Sequence, residues 1–147
     1  MNLQKAHKIF NYLKGIDNNF FLAGSARRGK KEDLHDIDVI YVGEKIPNIP
    51  GHAAFIKGKD IVRLTIKGES VDIYRTDKIN FGAMYLFLTG PQEYNIIMRA
   101  KAKRSGRLLN QKGLYNRETR ELIASENEED IYNALGLNYK EPEFRGI

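Results

Sequence analysis

The chain has 147 residues, with 24 Lys and Arg against 19 Asp and Glu for a formal charge of +5, and no cysteine. That length suits one compact unit or a pair of small lobes with a real core, and the missing cysteines exclude a disulfide framework and a thiolate metal site. No apolar run is long enough to span a bilayer, and the opening MNLQKAHKIF lacks a secretory apolar segment, so the expectation is an intracellular, cytoplasmic protein without membrane contact. The basic excess attracts polyanions without naming them.

In chain order, Leu3, Ala6, Phe10 and Leu13 recur at helical spacing and predict an amphipathic helix over residues 2–14 that Gly15 ends. A short apolar strand over 20–23 follows. Gly24-Ser25 then turns the chain into a basic helix or loop, and a strand over 37–42 carries Asp36 and Asp38 at its entry. Strand side chains repeat with period two, so both carboxylates leave one face of the sheet. Like charges that close repel unless a cation lies between them, and hard oxygen ligands suit Mg²⁺ or Mn²⁺. A helix opening at Gly24-Ser25 would aim unpaired N–H groups at an anion, and Arg28 could add a forked guanidinium. A phosphate cradle beside a divalent metal is the layout of phosphoryl or nucleotidyl transfer.

The stretch 43–51 contains two prolines and reads as irregular. Strands follow over 53–57, 61–67 and 70–74. In the second of these Val62, Leu64 and Ile66 alternate with Arg63, Thr65 and Lys67, the mark of a half-buried strand, and Lys67-Gly68-Glu69 forms a hairpin turn into the third. That hairpin delivers Asp72 between Val71 and Ile73. An acid alternating with buried residues needs a partner, either a neighbouring Arg or Lys or a metal. From 79 onward the pattern is helical: 79–88, a break at Thr89-Gly90-Pro91, then 92–105, with Pro91 in the first turn of the second helix. Tyr94 and Met98 read as packing residues there, whereas Asn95 and Arg99 share a face. Between 99 and 112 stand six basic residues (Arg99, Lys101, Lys103, Arg104, Arg107, Lys112) and no acid, the footprint of a nucleic-acid contact. Ser125, three before Glu128 and ahead of Ile131 and Leu135, reads as a capping-box start, with Gly136 at the helix end.

Gly24-Ser25, Arg27-Arg28 and Asp36-Ile37-Asp38 together resemble the signature of the polymerase beta-like nucleotidyltransferases. Phe87-Leu88-Thr89-Gly90, with Tyr94-Asn95 and Met98-Arg99-Ala100, resembles the nucleotide-selecting helix of family X DNA polymerases. The resemblance implies an α+β fold: a nucleotidyltransferase palm, a mixed sheet with flanking helices, over 1–78, and a small helical and β C-terminal subdomain over 79–147. Leu108-Leu109-Asn110 and Gly113-Leu114-Tyr115 resemble the paired short strands of that subdomain, with a third over 121–124. The implied activity is templated addition of dNTPs to a primer 3′-hydroxyl, in gapped DNA during repair, by a monomer resembling the minimal viral form.

By the same resemblance Asp36, Asp38 and Asp72 are the catalytic acids and hold two Mg²⁺ (or Mn²⁺). Gly24, Ser25 and Arg28 hold the triphosphate, Phe87, Leu88, Thr89 and Gly90 lie beside the sugar, and Asn95 reads the minor-groove edge of the incoming base. Arg99, Lys101, Lys103, Arg104 and Arg107 contact DNA. Ser70 stands where an arginine often precedes the third aspartate by two positions, which implies weaker primer activation. The short stretch ahead of Gly24 implies neither helix-hairpin-helix nor lyase modules, hence weakly processive, salt-dependent binding. Two other readings share parts of this pattern: a nucleotidyltransferase that modifies a protein, RNA or small molecule, and a non-catalytic DNA-binding module.

Overall fold

Asn2 opens the first helix, its side-chain oxygen accepting the Lys5 N–H at 2.9 Å, and α1 (Leu3–Ile16) buries Ala6, Ile9 and Leu13 along one stripe. A computed structural model describes residues 1–146, with the backbone alone described at Ile56 and Lys57. The helix does not stop at Gly15. That glycine is absent from the positive-φ residues, so it continues the right-handed turn, and the chain leaves at Asp17, whose N–H still bonds Leu13 O at 3.2 Å.

Two units make up the chain, Met1–Asp77 and Lys78–Ile147. In the first, β1 (Phe20–Leu22), α2 (Gly24–Arg27), β2 (Asp36–Val42), β3 (Ala54–Lys57), β4 (Ile61–Ile66) and β5 (Glu69–Thr76) follow α1. The sheet runs β1-β2-β5-β4-β3, with β2 and β5 parallel and the other pairs antiparallel. Lys67 and Gly68 both take left-handed φ values, 52° and 79°, as a tight two-residue hairpin turn requires, and this fixes the β4–β5 register. Alternation then sorts the sheet into two faces. Ile37, Val39, Val62, Leu64, Ile66, Val71 and Ile73 join Ala6, Ile9 and Leu13 in one buried cluster. The opposite face carries the acids.

In the second unit a single 3₁₀ turn at Lys78–Asn80 leads into α3 (Phe81–Thr89), then α4 (Gln92–Arg104), the antiparallel sheet β6 (Arg107–Asn110), β7 (Gly113–Asn116) and β8 (Leu122–Ala124), and α5 (Glu128–Ala134). Its core gathers Ala83, Leu86, Tyr94, Met98, Leu109, Leu114, Ile131 and Tyr132, with the Tyr94 and Tyr132 hydroxyls 2.6 Å apart. Pro91 is the N-cap of α4, one residue outside the helix, after a cis Gly90-Pro91 bond. Ser125 does not cap α5. Asn127 does, accepting the Asp130 N–H at 2.8 Å, while Ser125 Oγ donates to Ile79 O and Glu128 turns inward to Arg145 at 2.8 Å. Asn127 has the shorter reach to the first free amides, and the Glu128 carboxylate is drawn by a buried guanidinium. Among the described residues no helix is long and apolar enough to cross a membrane.

Because Glu128 is 4% and Arg145 3% exposed, removing one partner leaves a buried charge unmatched. Arg145→Met should destabilise the chain by about 3 kcal/mol in urea denaturation. Adding Glu128→Gln to that variant should restore part of the loss.

Candidate active site

The acids are brought together by register. In the parallel β2–β5 pair Asp38 stands beside Asp72 and Asp36 beside Ser70; in the antiparallel β4–β5 pair Arg63 stands beside Asp72 and Thr65 beside Ser70. One row across three adjacent strands therefore reads Asp38, Asp72, Arg63. A neighbouring row holds Asp36, Ser70 and Thr65, and the row on the other side holds Ile40, Tyr74 and Ile61.

Gly24 closes one side of this face. Its φ of +64° is left-handed, and a Cβ there would lie 2.7 Å from Asp38 Oδ2, so only glycine lets the backbone approach the carboxylate so closely. The amides of Arg27 and Arg28 are the first to bond back within α2, to Ala23 and Gly24. Those of Gly24, Ser25 and Ala26 have no acceptor inside the helix. Arg28 is close enough to act electrostatically on Asp38.

Crowding is visible in the protonation of Asp38. Its carboxyl is raised from 3.8 to about 6, first by burial and then by the charges of Asp72 and Asp36, with Arg63 and Arg28 pulling the other way. Burial and the same acids push the Tyr74 hydroxyl up to about 12, so it stays a neutral donor. Asp72 has its partner already. Arg63 holds it with a two-pronged fork, Nε on Oδ1 and Nη2 on Oδ2 at 2.9 Å. The carboxylate is 5% exposed and the guanidinium side chain 40%. Hence the salt-bridge partner anticipated for this acid is present, and a guanidinium reaches Asp72 from the adjacent strand although Ser70 stands at the position two before it.

Sequence reading passed over Arg63 and Tyr74. Arg63 had a signal: a two-residue turn at Lys67-Gly68 sets Ile66 opposite Glu69, and stepping three residues along each strand sets Arg63 opposite Asp72. The face is chemically suited to a divalent cation, since its oxygens are hard donors and its crowded charge is relieved by one. Among the described residues no trio of acid, imidazole or thiol groups stands ready-made as a metal cage. Asp36 and Asp38 accept no hydrogen bond from described side chains, whereas both oxygens of Asp72 are taken.

In the second unit the structure gathers another set. Phe87, Asn95, Met98, Arg99 and Asn110 line a small cleft, and Asn95 Nδ2 donates to Phe87 O at 2.8 Å. Thr89 and Gly90 are buried, so of residues 87–90 only Phe87 and Leu88 offer side-chain surface. Tyr94, Met98 and Ala102 face inward at fourfold spacing on α4; Arg99, Lys101, Lys103 and Arg104 are exposed and have no acidic partner among the described residues, and Arg107 is half-buried.

Residues 84–146 match the family model for the DNA polymerase beta thumb. Along the sequence, the chain is 28% identical to the repair DNA polymerase X of African swine fever virus (isolate Tick/Malawi/Lil 20-1/1983), over 99% of both proteins. It is 31% identical to the DNA polymerase/3′-5′ exonuclease PolX of Bacillus subtilis (strain 168) across 86% of this chain, which spans 24% of that protein's length. The chain is similar to family X DNA polymerases. Its fold is shared with the protein in the Leishmania infantum polymerase beta ternary primer/template complex, with a TM-score of 0.81 at 20% identity over all of this chain and 77% of that one.

A group whose folded value is raised binds more protons native than unfolded, so it weakens the fold as pH climbs from about 4 through about 6. In EDTA at pH 7, Asp38→Asn should therefore stabilise the protein by on the order of 1 to 2 kcal/mol. Thermal melts should lose that gap at pH 4.

Proposed function

We propose that this chain is a family X, template-directed DNA polymerase that adds deoxynucleotides one at a time to a primer 3′-hydroxyl, filling short gaps during repair. The observation that carries the reading is the row of acids, Asp38 beside Asp72 with Asp36 one row away, flanked by the Gly24 turn and Arg28. The family match of the second unit and the likeness to a viral repair polymerase over nearly the whole of both chains support it.

Asp36, Asp38 and Asp72 are the residues to hold two divalent cations, Mg²⁺ or Mn²⁺, which when bound supply the charge that activates the hydroxyl and steadies the triphosphate. The amides near Gly24, the Ser25 hydroxyl and Arg28 grip the triphosphate and oppose the charge that grows on the departing pyrophosphate. The primer 3′-oxygen forms its bond to the α-phosphorus as the bond to the bridging oxygen breaks, and pyrophosphate leaves. Asp72 is the carboxylate set to take the hydroxyl proton. Phe87 and Leu88 with the backbone of Thr89 and Gly90 sense the sugar. Asn95 and Arg99 offer donors to the minor-groove acceptors that all correct pairs share, which rewards pair shape over sequence. Lys101, Lys103, Arg104 and Arg107 hold phosphates. One chain carries every named residue, so a monomer suffices.

Incubating the protein with gapped duplex, each dNTP or rNTP separately, and Mg²⁺ or Mn²⁺ tests this: templated joining of the matching dNTP is the expected product. Asp72→Ala should reduce extension to background while DNA affinity stays within about twofold, well below the 1.4 kcal/mol that separates tenfold steps. Untemplated joining, or extension by Asp72→Ala near the wild-type rate, would overturn the assignment. If these four basic side chains each meet a phosphate, the plot of log affinity against log salt should have a slope of about −3 to −4. Lys103→Ala should lower that slope by about 1 whatever the DNA sequence.

A further inference from the structure

The third acid of the face, Asp72, is already occupied, and the occupant is movable. Asp72 is 3% exposed and lies beside Asp38 in register, so without a counter-charge it would be a buried anion next to a second one. Arg63 removes that cost by taking both carboxylate oxygens with its fork. A cation that draws on Asp72 needs at least one of these oxygens. Arg63 can give it up cheaply, because its side chain is 40% exposed and its charge can return to water, whereas Asp72 is fixed in an inner strand.

We propose that Arg63 is a positioning residue that latches Asp72 in the metal-free protein and is exchanged, one prong or both, for a divalent cation when the acid row is loaded. The latch deepens the polymerase reading and rests on it for its purpose: until a cation arrives it keeps the third acid aligned but unavailable. Thr65 and Ser70, the neighbours in the next row, carry no charge and cannot stand in for it. On this reading the effect belongs to the Arg63–Asp72 pair, as distinct from the general influence of a nearby positive charge such as Arg28.

The two accounts separate in Mn²⁺ binding to the full chain without DNA, read from the free-ion electron paramagnetic resonance signal. Arg63→Met should tighten binding about tenfold, the worth of one charge-assisted pair. Arg63→Lys keeps the charge and loses the fork, so it should tighten binding by several-fold. With Asp72→Asn as background, Arg63→Met should change Mn²⁺ affinity by less than twofold. Tightening by Arg63→Met of the same size in both backgrounds, or an Arg63→Lys affinity equal to wild type, would overturn the latch and leave only through-space repulsion. Should Arg63→Met fold poorly by circular dichroism, Arg63→Gln replaces it with the same expectations. Failure of wild-type extension on gapped DNA with the coupling intact would count against the polymerase reading alone; extension without the coupling would count against the latch alone.

Discussion

The geometry of the whole N-terminal unit turns on one pairing: β2 and β5 run parallel in a register that sets Asp38 shoulder to shoulder with Asp72. Folding gains nothing from that juxtaposition by itself, since two carboxylates on adjacent strands repel and one of them is buried. The other face of the same strands explains how it is tolerated. Ile37, Val39, Val71 and Ile73 bury against α1 and β4, and because strand side chains alternate, a register that packs these apolar residues also forces the acids together on the reverse. A sheet that packs well behind thus carries an electrostatically crowded front. Three features answer the crowding: the raised protonation of Asp38, the guanidinium on Asp72, and Arg28 near the Gly24 turn.

The second unit divides its tasks by helix face. On α4, Tyr94, Met98 and Ala102 build the core, and the intervening positions leave Arg99, Lys101, Lys103 and Arg104 to solvent. Basic residues in a last helical turn also complement the dipole, which stabilises the helix irrespective of any ligand. Their density over so short a segment, without acids, exceeds what that role needs. The buried Glu128–Arg145 pair ties the C-terminal segment to α5, so the tail is part of this unit's structure.

Local chemistry was legible in the sequence wherever a single pattern decided the outcome. Alternation at Val62, Leu64 and Ile66 placed a half-buried strand, and Gly24 with the Asp36–Asp38 spacing marked the acid face. Errors arose where two residues competed for one role. Ser125 and Asn127 both suit a helix N-cap, and only the inward pull of Arg145 on Glu128 shows why the capping box is not made. Gly15 reads as a stop, but a glycine ends a helix only when it turns left-handed, which tertiary packing decides. Arg63 passed as the polar half of an alternating strand because its importance is a property of register, not of composition. Counting across the Lys67-Gly68 turn would have revealed its partner.

The claim on which the account stands is that these acids gather around cations when substrate is present. Its most direct measurement is anomalous diffraction from crystals of the chain with gapped DNA, a primer lacking its 3′-hydroxyl, the matching dNTP and Mn²⁺. The account predicts strong Mn²⁺ peaks bound by Asp36 and Asp38, with Arg63 withdrawn from one or both oxygens of Asp72 and one of the ions in its place. Mn²⁺ bound elsewhere, with Asp72 still forked by Arg63 beside an ordered dNTP, would contradict it.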